Sequence, residues 1–327
     1  MPIDSIIPVV KLNRTKVVGE KVSYLLEPFS YQYMMNALLL STLICSVCAF
    51  LSAFLILRGW SLIADALSHA TLPGVALAYM LGLPFSLGAF VSGGLAAIAI
   101  LFIKERSILK EDVAIGIIFT SFFAAGLFLL SINPSSIDLQ QVLMGNLLAI
   151  APWDSLQMLI ISVITFTFLC LYWKDILLVF FDEQQAWVAG INPRVIKVLF
   201  FAALSATTLA AMQTVGALLV IAVVVTPGAT AYLLSVKFKK IIYISVSIGM
   251  GSALIGTYVS YFIDGTTGAL IVSLQTLCFI AAFFLSPSQG FIYRRKRHQS
   301  HIKNGLVRPL ETPPIVAETL ASGKRYV

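Results

Sequence analysis

Nine apolar runs follow one another along the chain with short polar breaks between them, near residues 32–57, 60–82, 85–103, 112–132, 155–173, 196–212, 214–235, 240–262 and 267–286. A helix that crosses a bilayer needs about 20 apolar residues. The pattern therefore predicts an all-α integral membrane protein, a polytopic bundle of eight or nine transmembrane helices. The stretch 139–150 is apolar but too short to span, and is expected to be re-entrant or interfacial. The run 196–235 is nearly continuous, and it is expected to hold one long span plus a broken helix.

The polar breaks orient the bundle, because loops rich in Lys and Arg stay in the cytoplasm. Lys104, Arg106 and Lys110 mark one such loop, Lys174, Arg194 and Lys197 bracket a second, and Lys237, Lys239 and Lys240 mark a third. Arg294, Arg295, Lys296 and Arg297 place the C-terminus on the same side. Eight spans put Lys11, Arg14, Lys16 and Lys21 inside, whereas nine put them outside, against the rule. Three regions result: an amphipathic N-terminal segment 1–30, a transmembrane domain 31–287, and a basic, Pro-containing cytoplasmic tail 288–327 expected to be disordered.

Composition agrees with lipid as the solvent. Of 327 residues 59% are hydrophobic and only 11% charged, with mean hydropathy +0.94. Soluble domains run near ~45–50% apolar and ~25% charged, so a water-soluble fold is excluded. The net charge of +7 is clustered between and beyond the spans, which fits a membrane orientation signal and not a nucleic-acid surface. Residues 1–30 show no cleavable signal-peptide pattern. Cys45, Cys48, Cys170 and Cys278 all lie in apolar stretches, so no disulfide framework is expected. The Cys45-x-x-Cys48 pair, like Gly93-Gly94, Gly249 and Gly251, fits close helix packing better than metal or redox chemistry.

The segment Leu57–Gly74 carries the chemistry. Asp65 and His69 lie where a membrane helix is expected, and an ionisable residue at that depth is costly unless paired or hydrated. Four residues apart, they stack on one helix face, and a carboxylate with an imidazole suits first-row divalent metals. A two-fold dimer with this helix on its axis would supply two Asp and two His. The competing expectation is an Asp–His pair that only joins helices. Pro73-Gly74 and Thr226-Pro227-Gly228 are expected helix breaks or kinks. Loop 174–194 predicts a short amphipathic helix through Asp182, Glu183 and Ala186, capped by Gly190 and stopped by Pro193. It serves either as an interfacial connector with Trp187 at the headgroups or as a docking helix for a cytosolic partner. His298 and His301 in the tail are expected to be solvated. The chain lacks G-x-x-x-x-G-K-[ST], H-E-x-x-H and G-x-S-x-G, so it has no motif for binding ATP or for intramembrane hydrolysis.

Arg58-Gly59 followed by Asp65-Ala66-Leu67-Ser68-His69-Ala70-Thr71-Leu72-Pro73-Gly74 resembles the hallmark of the permease subunits of metal-uptake ABC transporters. The resemblance covers roughly residues 25–290, including Leu26-Glu27-Pro28-Phe29, Lys104–Asp112, Gly116-Ile117-Ile118-Phe119 and Gly145-Asn146-Leu147-Leu148. It implies a multi-pass permease in the cytoplasmic (inner) membrane that is not itself an enzyme and binds no permanent cofactor. Its implied partners are a cytosolic ATP-binding subunit, a second permease subunit (identical or not) and an extracytoplasmic metal-binding protein. It also implies metal contact at Asp65 and His69 and ATPase docking at the loop holding Asp182, Glu183, Ala186 and Gly190. The Lys104–Asp112 and Gly145-Asn146 regions are most similar to the manganese and iron branch, so Mn2+ or Fe2+ is the expected cargo, with Zn2+ the family alternative. Rivals outside the family are a secondary ion-coupled carrier, a membrane-embedded enzyme, and a purely structural subunit.

Overall fold

The computed structural model describes residues 27–83, 85–106, 111–132, 152–216 and 219–286. The expectations for segment 1–26, for Lys110, for 139–150 with Gly145-Asn146, and for the tail with His298, His301 and Arg294–Arg297 lie outside the described residues. The described chain forms a short 3-10 turn, Glu27–Ser30, and eleven helices. They are α1 Gln32–Arg58, α2 Ile63–Ala70, α3 Leu72–Leu81, α4 Phe85–Arg106, α5 Glu111–Ile132, α6 Pro152–Phe181, α7 Glu183–Val188, α8 Pro193–Val215, α9 Val220–Leu234, α10 Phe238–Ile263 and α11 Thr267–Leu285. Six of them (α1, α5, α6, α8, α10 and α11) are long and apolar enough to cross a membrane, and residues 87–103 of α4 and all of α9 are shorter apolar stretches.

Helix α1 is the centre of the bundle. It packs against α6, α8, α9 and α10, and 78% of its most apolar window is buried, against 22% for α5, α6 and α11. Those three therefore leave most of their apolar surface facing outward, as lipid-facing helices do. Close contact with α1 depends on small side chains. A Cβ on Gly249 would sit 2.6 Å from the Ala49 Cβ and 2.7 Å from the Cys45 carbonyl oxygen, and Cys45 and Cys48 are buried free thiols there. Without a hydrophobic drive between helices in lipid, such tight contact is what holds them. Polar bonds add to it: Ser41 and Thr257 hydroxyls pair at 2.9 Å, and Ser245 donates to the Ala49 carbonyl at 2.6 Å.

The helices alternate between two ends. At one end Phe54 of α1 meets Phe180 of α6, Phe200 of α8 and Phe238 of α10. Among the described residues every Lys and Arg falls in the helix ends and turns on this side. At the other end Phe29 and Tyr31 meet Tyr258 and Tyr261 of α10. Clustered rings at a helix end are the form of an interfacial aromatic belt.

One expected span is corrected in length, and the two expected breaks or kinks are decided. The span expected at 60–82 is two short helices, because Pro73 supplies no N–H to the His69 carbonyl and its ring crowds that turn. The span expected to end at residue 173 runs on to Phe181, since Lys174 and Asp175 can extend beyond lipid without ending the helix. Thr226-Pro227-Gly228 does not break α9. The Ser52 hydroxyl of α1 accepts the Gly228 N–H at 2.9 Å and donates to the Val225 carbonyl at 3.0 Å, so the turn around Pro227 is braced from outside.

Candidate functional site

The approach to α2 is set by Arg58 and Gly59. Gly59 closes α1 in the left-handed region at φ 71°, which only glycine adopts without cost. Its N–H reaches the Ile56 carbonyl at 3.2 Å and that of Trp60 reaches Leu55 at 2.9 Å, a Schellman cap. Trp60 then turns inward against Phe180 and Phe201, and the Arg58 guanidinium lies 5.6 Å from the Trp60 ring and 5.5 Å from Phe180. The cap thus fixes where α2 begins.

On α2, Asp65 sits in the first turn and His69 in the last. His69 Nε2 lies 3.5 Å from Asp65 Oδ1, with the side chains 16% and 35% exposed respectively. This exceeds an ordinary hydrogen bond. Two donors each ~2.1 Å from one metal ion stand ~3.0–3.4 Å apart at octahedral to tetrahedral angles, so the observed spacing is close to one that a single ion bridges. The imidazole is steered by α5, whose Phe119 and Phe123 rings stack on each other and meet His69 edge-on at 5.4 and 5.5 Å. Among the described residues no third His, Cys, Asp or Glu joins them. One chain therefore offers one carboxylate and one imidazole, the pair expected from the sequence.

Immediately beyond His69 the chain is jointed at Thr71. The Thr71 hydroxyl bonds the Ser68 carbonyl at 2.6 Å and faces the Met212 sulfur of α8 at 3.5 Å. Ser92 of α4 donates to the Ala70 carbonyl. A Cβ on Gly74 would overlap the Gly88 carbonyl, so α3 and α4 cross at backbone contact. The joint is thus held on two sides by α4 and α8. Met212, Phe119 and Phe123 carry no local sequence signal that ties them to His69; only the i, i+4 spacing of the two phenylalanines marks them as one face.

The predicted short helix is α7. Asp182 caps it by accepting the Gln185 N–H at 2.9 Å. Ala186 is fully buried, and Gly190, at φ 78°, turns the chain out after it. Pro193 is the first residue of α8 rather than merely a stop, and Asn192 caps that helix by accepting the Arg194 N–H at 3.1 Å. Glu183 forms an ion pair with Lys197 at 2.5 Å. Lys197 was visible in the sequence only as a charge. Trp187 and Val188 project outward, 57% and 89% exposed, at the basic end of the bundle.

The family model for the ABC 3 transport family matches residues 30–286, which include α2, α3 and α7. The "Chelated iron transport system membrane protein YfeC" of Yersinia pestis is 52% identical over 273 residues, covering 84% of this chain and 93% of that one. The "Manganese transport system membrane protein MntB" of a Synechocystis strain is 42% identical over 289 residues, covering 88% and 94%. Among solved structures, PsaBC from Streptococcus pneumoniae in complex with Fab is similar with a TM-score of 0.73 and 35% identity, covering 84% of this chain and 99% of that one. A multi-pass membrane protein matched from its first long helix to its last, the chain belongs to the ABC 3 transport family.

Proposed function

We propose that the chain is the permease subunit of an ATP-driven importer that carries manganese or ferrous iron across the cytoplasmic membrane, with Asp65 and His69 contacting the ion in passage. The observation that carries this is the Asp65–His69 pair, 3.5 Å apart and partly exposed on a helix inside the bundle. Relatives named for manganese and for iron transport support both metals, and zinc is the alternative within the family. Two donors hold an ion weakly, which suits a path the ion must leave. A second permease copy facing the first would complete a set of two Asp and two His.

The chain itself makes and breaks no covalent bond, since ATP hydrolysis belongs to a separate subunit. In this reading the basic end is cytoplasmic, and α7, with Trp187 and Val188 outward, docks that ATPase. A metal-binding protein delivers the ion at the aromatic end. Because α1 starts at the aromatic end and α11 finishes at the basic end, the crossings from the first described helix to the last are odd in number. Among the described helices nine crossings fit, with α2 and α3 together making one.

The test is uptake of radiolabelled manganese in cells expressing the chain with its ATPase and binding protein. Uptake is expected to stop on ATP depletion and in Asp65→Ala, with the complex still assembled. Normal uptake by an assembled Asp65→Ala complex removes the site, and uptake that follows the membrane potential and not ATP removes the ABC mechanism.

A further inference from the structure

Helix α7 is six residues long, far below the length at which a helix is stable alone in water. Of its side chains only Ala186 is buried. Its two ends are tied by the Asp182 cap and by the Ile191 N–H bonding the Ala186 carbonyl at 2.9 Å. These bonds shape α7, and the buried Ala186 seats it in the apolar core that also holds Ile196 of α8, but none of them is a polar bond to the helix that follows. Among the described residues, one polar side-chain contact does so: Glu183 Oε1 to Lys197 Nζ at 2.5 Å, with Lys197 only 13% exposed. Between the two lies a bend through Gly190 in the left-handed region, the sort of turn about which α7 would otherwise swing.

Helix α8 continues from there as an unbroken rod. It has Pro193 at its first position and neither Gly nor Pro inside, in contrast to α9 with Pro227. Kinks come from such residues. From Lys197 to Met212 is 15 residues, roughly 22 Å of helix at 1.5 Å each. At its far end Met212 faces the Thr71 hydroxyl, and midway the Ser205 hydroxyl lies against Gly93, 3.0 Å from where a Cβ would be. Thr71 is the joint two residues beyond His69.

We infer that the Glu183–Lys197 ion pair is a positioning clamp that makes α7 and α8 move as one body, so that displacement of the docking segment is delivered to the Thr71 joint beside His69. This rests on the reading of 182–190 as the ATPase docking segment. Glu183 and Lys197 touch neither the metal nor ATP in this scheme; they act through α8. Charge, more than shape, carries the link, so a reversed pair serves as well as the native one.

The test uses the complete complex of permease, ATPase and binding protein in lipid nanodiscs and proteoliposomes, with Glu183→Gln, Lys197→Met and the double reversal E183K/K197E. Two readouts are taken. Hydrogen exchange at amides 186–191, which needs no flux, is expected to quicken in each single variant and to return toward wild type in the reversal. Manganese moved per ATP hydrolysed is expected to fall about fivefold or more in each single variant, within the range of typical coupling energies, and to recover in the reversal. Loss in Glu183→Gln with none in Lys197→Met, or no recovery in the reversal, assigns Glu183 a direct contact with the ATPase and overturns the clamp. Unchanged exchange in both single variants also overturns it. A wild-type complex that moves no metal refutes the functional reading instead, while the exchange data still decide the clamp.

Discussion

Gly74→Ala is the sharpest structural prediction, because the crossing of α3 and α4 has no room for one methyl group. The added Cβ would overlap the Gly88 carbonyl and lie 2.5 Å from the Ser92 Cβ, a gap that must widen to at least 3.4 Å for ordinary contact. The atoms it meets are backbone and a Cβ, not the far end of a flexible side chain, so relief requires the helices to part. Overpacking of this kind costs about 1–3 kcal/mol. Parting them also strains the bond from Ser92 to the Ala70 carbonyl, next to His69. The matched control is Gly251→Ala in α10, where no atom stands within 4 Å; an alanine there gains about 0.5–1 kcal/mol from the lost flexibility of glycine. The assay is the apparent melting temperature of the purified permease in detergent, where 1 kcal/mol corresponds to ~2–4 °C. Gly74→Ala is expected to fall by several degrees and Gly251→Ala to hold or rise. A Gly74→Ala protein as stable as wild type, or both variants shifting the same way, would refute the account of this crossing.

Two further predictions address the supports of the site. Ser52→Ala leaves the Gly228 N–H without its partner and should cost about 1–3 kcal/mol, read as a lower melting temperature; in a Pro227→Ala background, where the ladder can close by itself, the loss should shrink. Gly59→Ala places a Cβ in the left-handed region at φ 71° and should cost about 1–2 kcal/mol, although no atom lies within 4 Å of the new methyl. Equal stability of the Gly59→Ala and Gly251→Ala proteins would show that conformation, not space, is misjudged there.

What the sequence disclosed was local. The Asp65–His69 face follows from helical period alone, and the Asp182 cap, the Gly190 turn and the break near Pro73 follow from the chemistry of single residues. Hydropathy misplaced the end of α6, because it records which residues tolerate lipid and Lys174-Asp175 end a lipid-soluble run without ending a helix. Whether Pro227 breaks its helix or only kinks it stayed open in the sequence, because the brace comes from Ser52, distant in sequence. Thr71 with Met212 and His69 with Phe119 and Phe123 are likewise pairings across the bundle that no local pattern announces. The small residues at Cys45 and Gly249 disclosed close packing, but not which helix each would meet.

In the proposed function His69 and Asp65 contact the transported ion, and the chain has only three histidines, His69, His298 and His301. With His298→Ala and His301→Ala in place and no histidine tag, Mn2+ bound to the permease in nanodiscs can be examined by electron spin-echo envelope modulation for coupling to an imidazole nitrogen. Histidine-nitrogen modulation that disappears in His69→Gln, with bound Mn2+ reduced in Asp65→Ala, is the result expected. Mn2+ showing no nitrogen coupling in the parent protein, or coupling that persists in His69→Gln, would contradict the site.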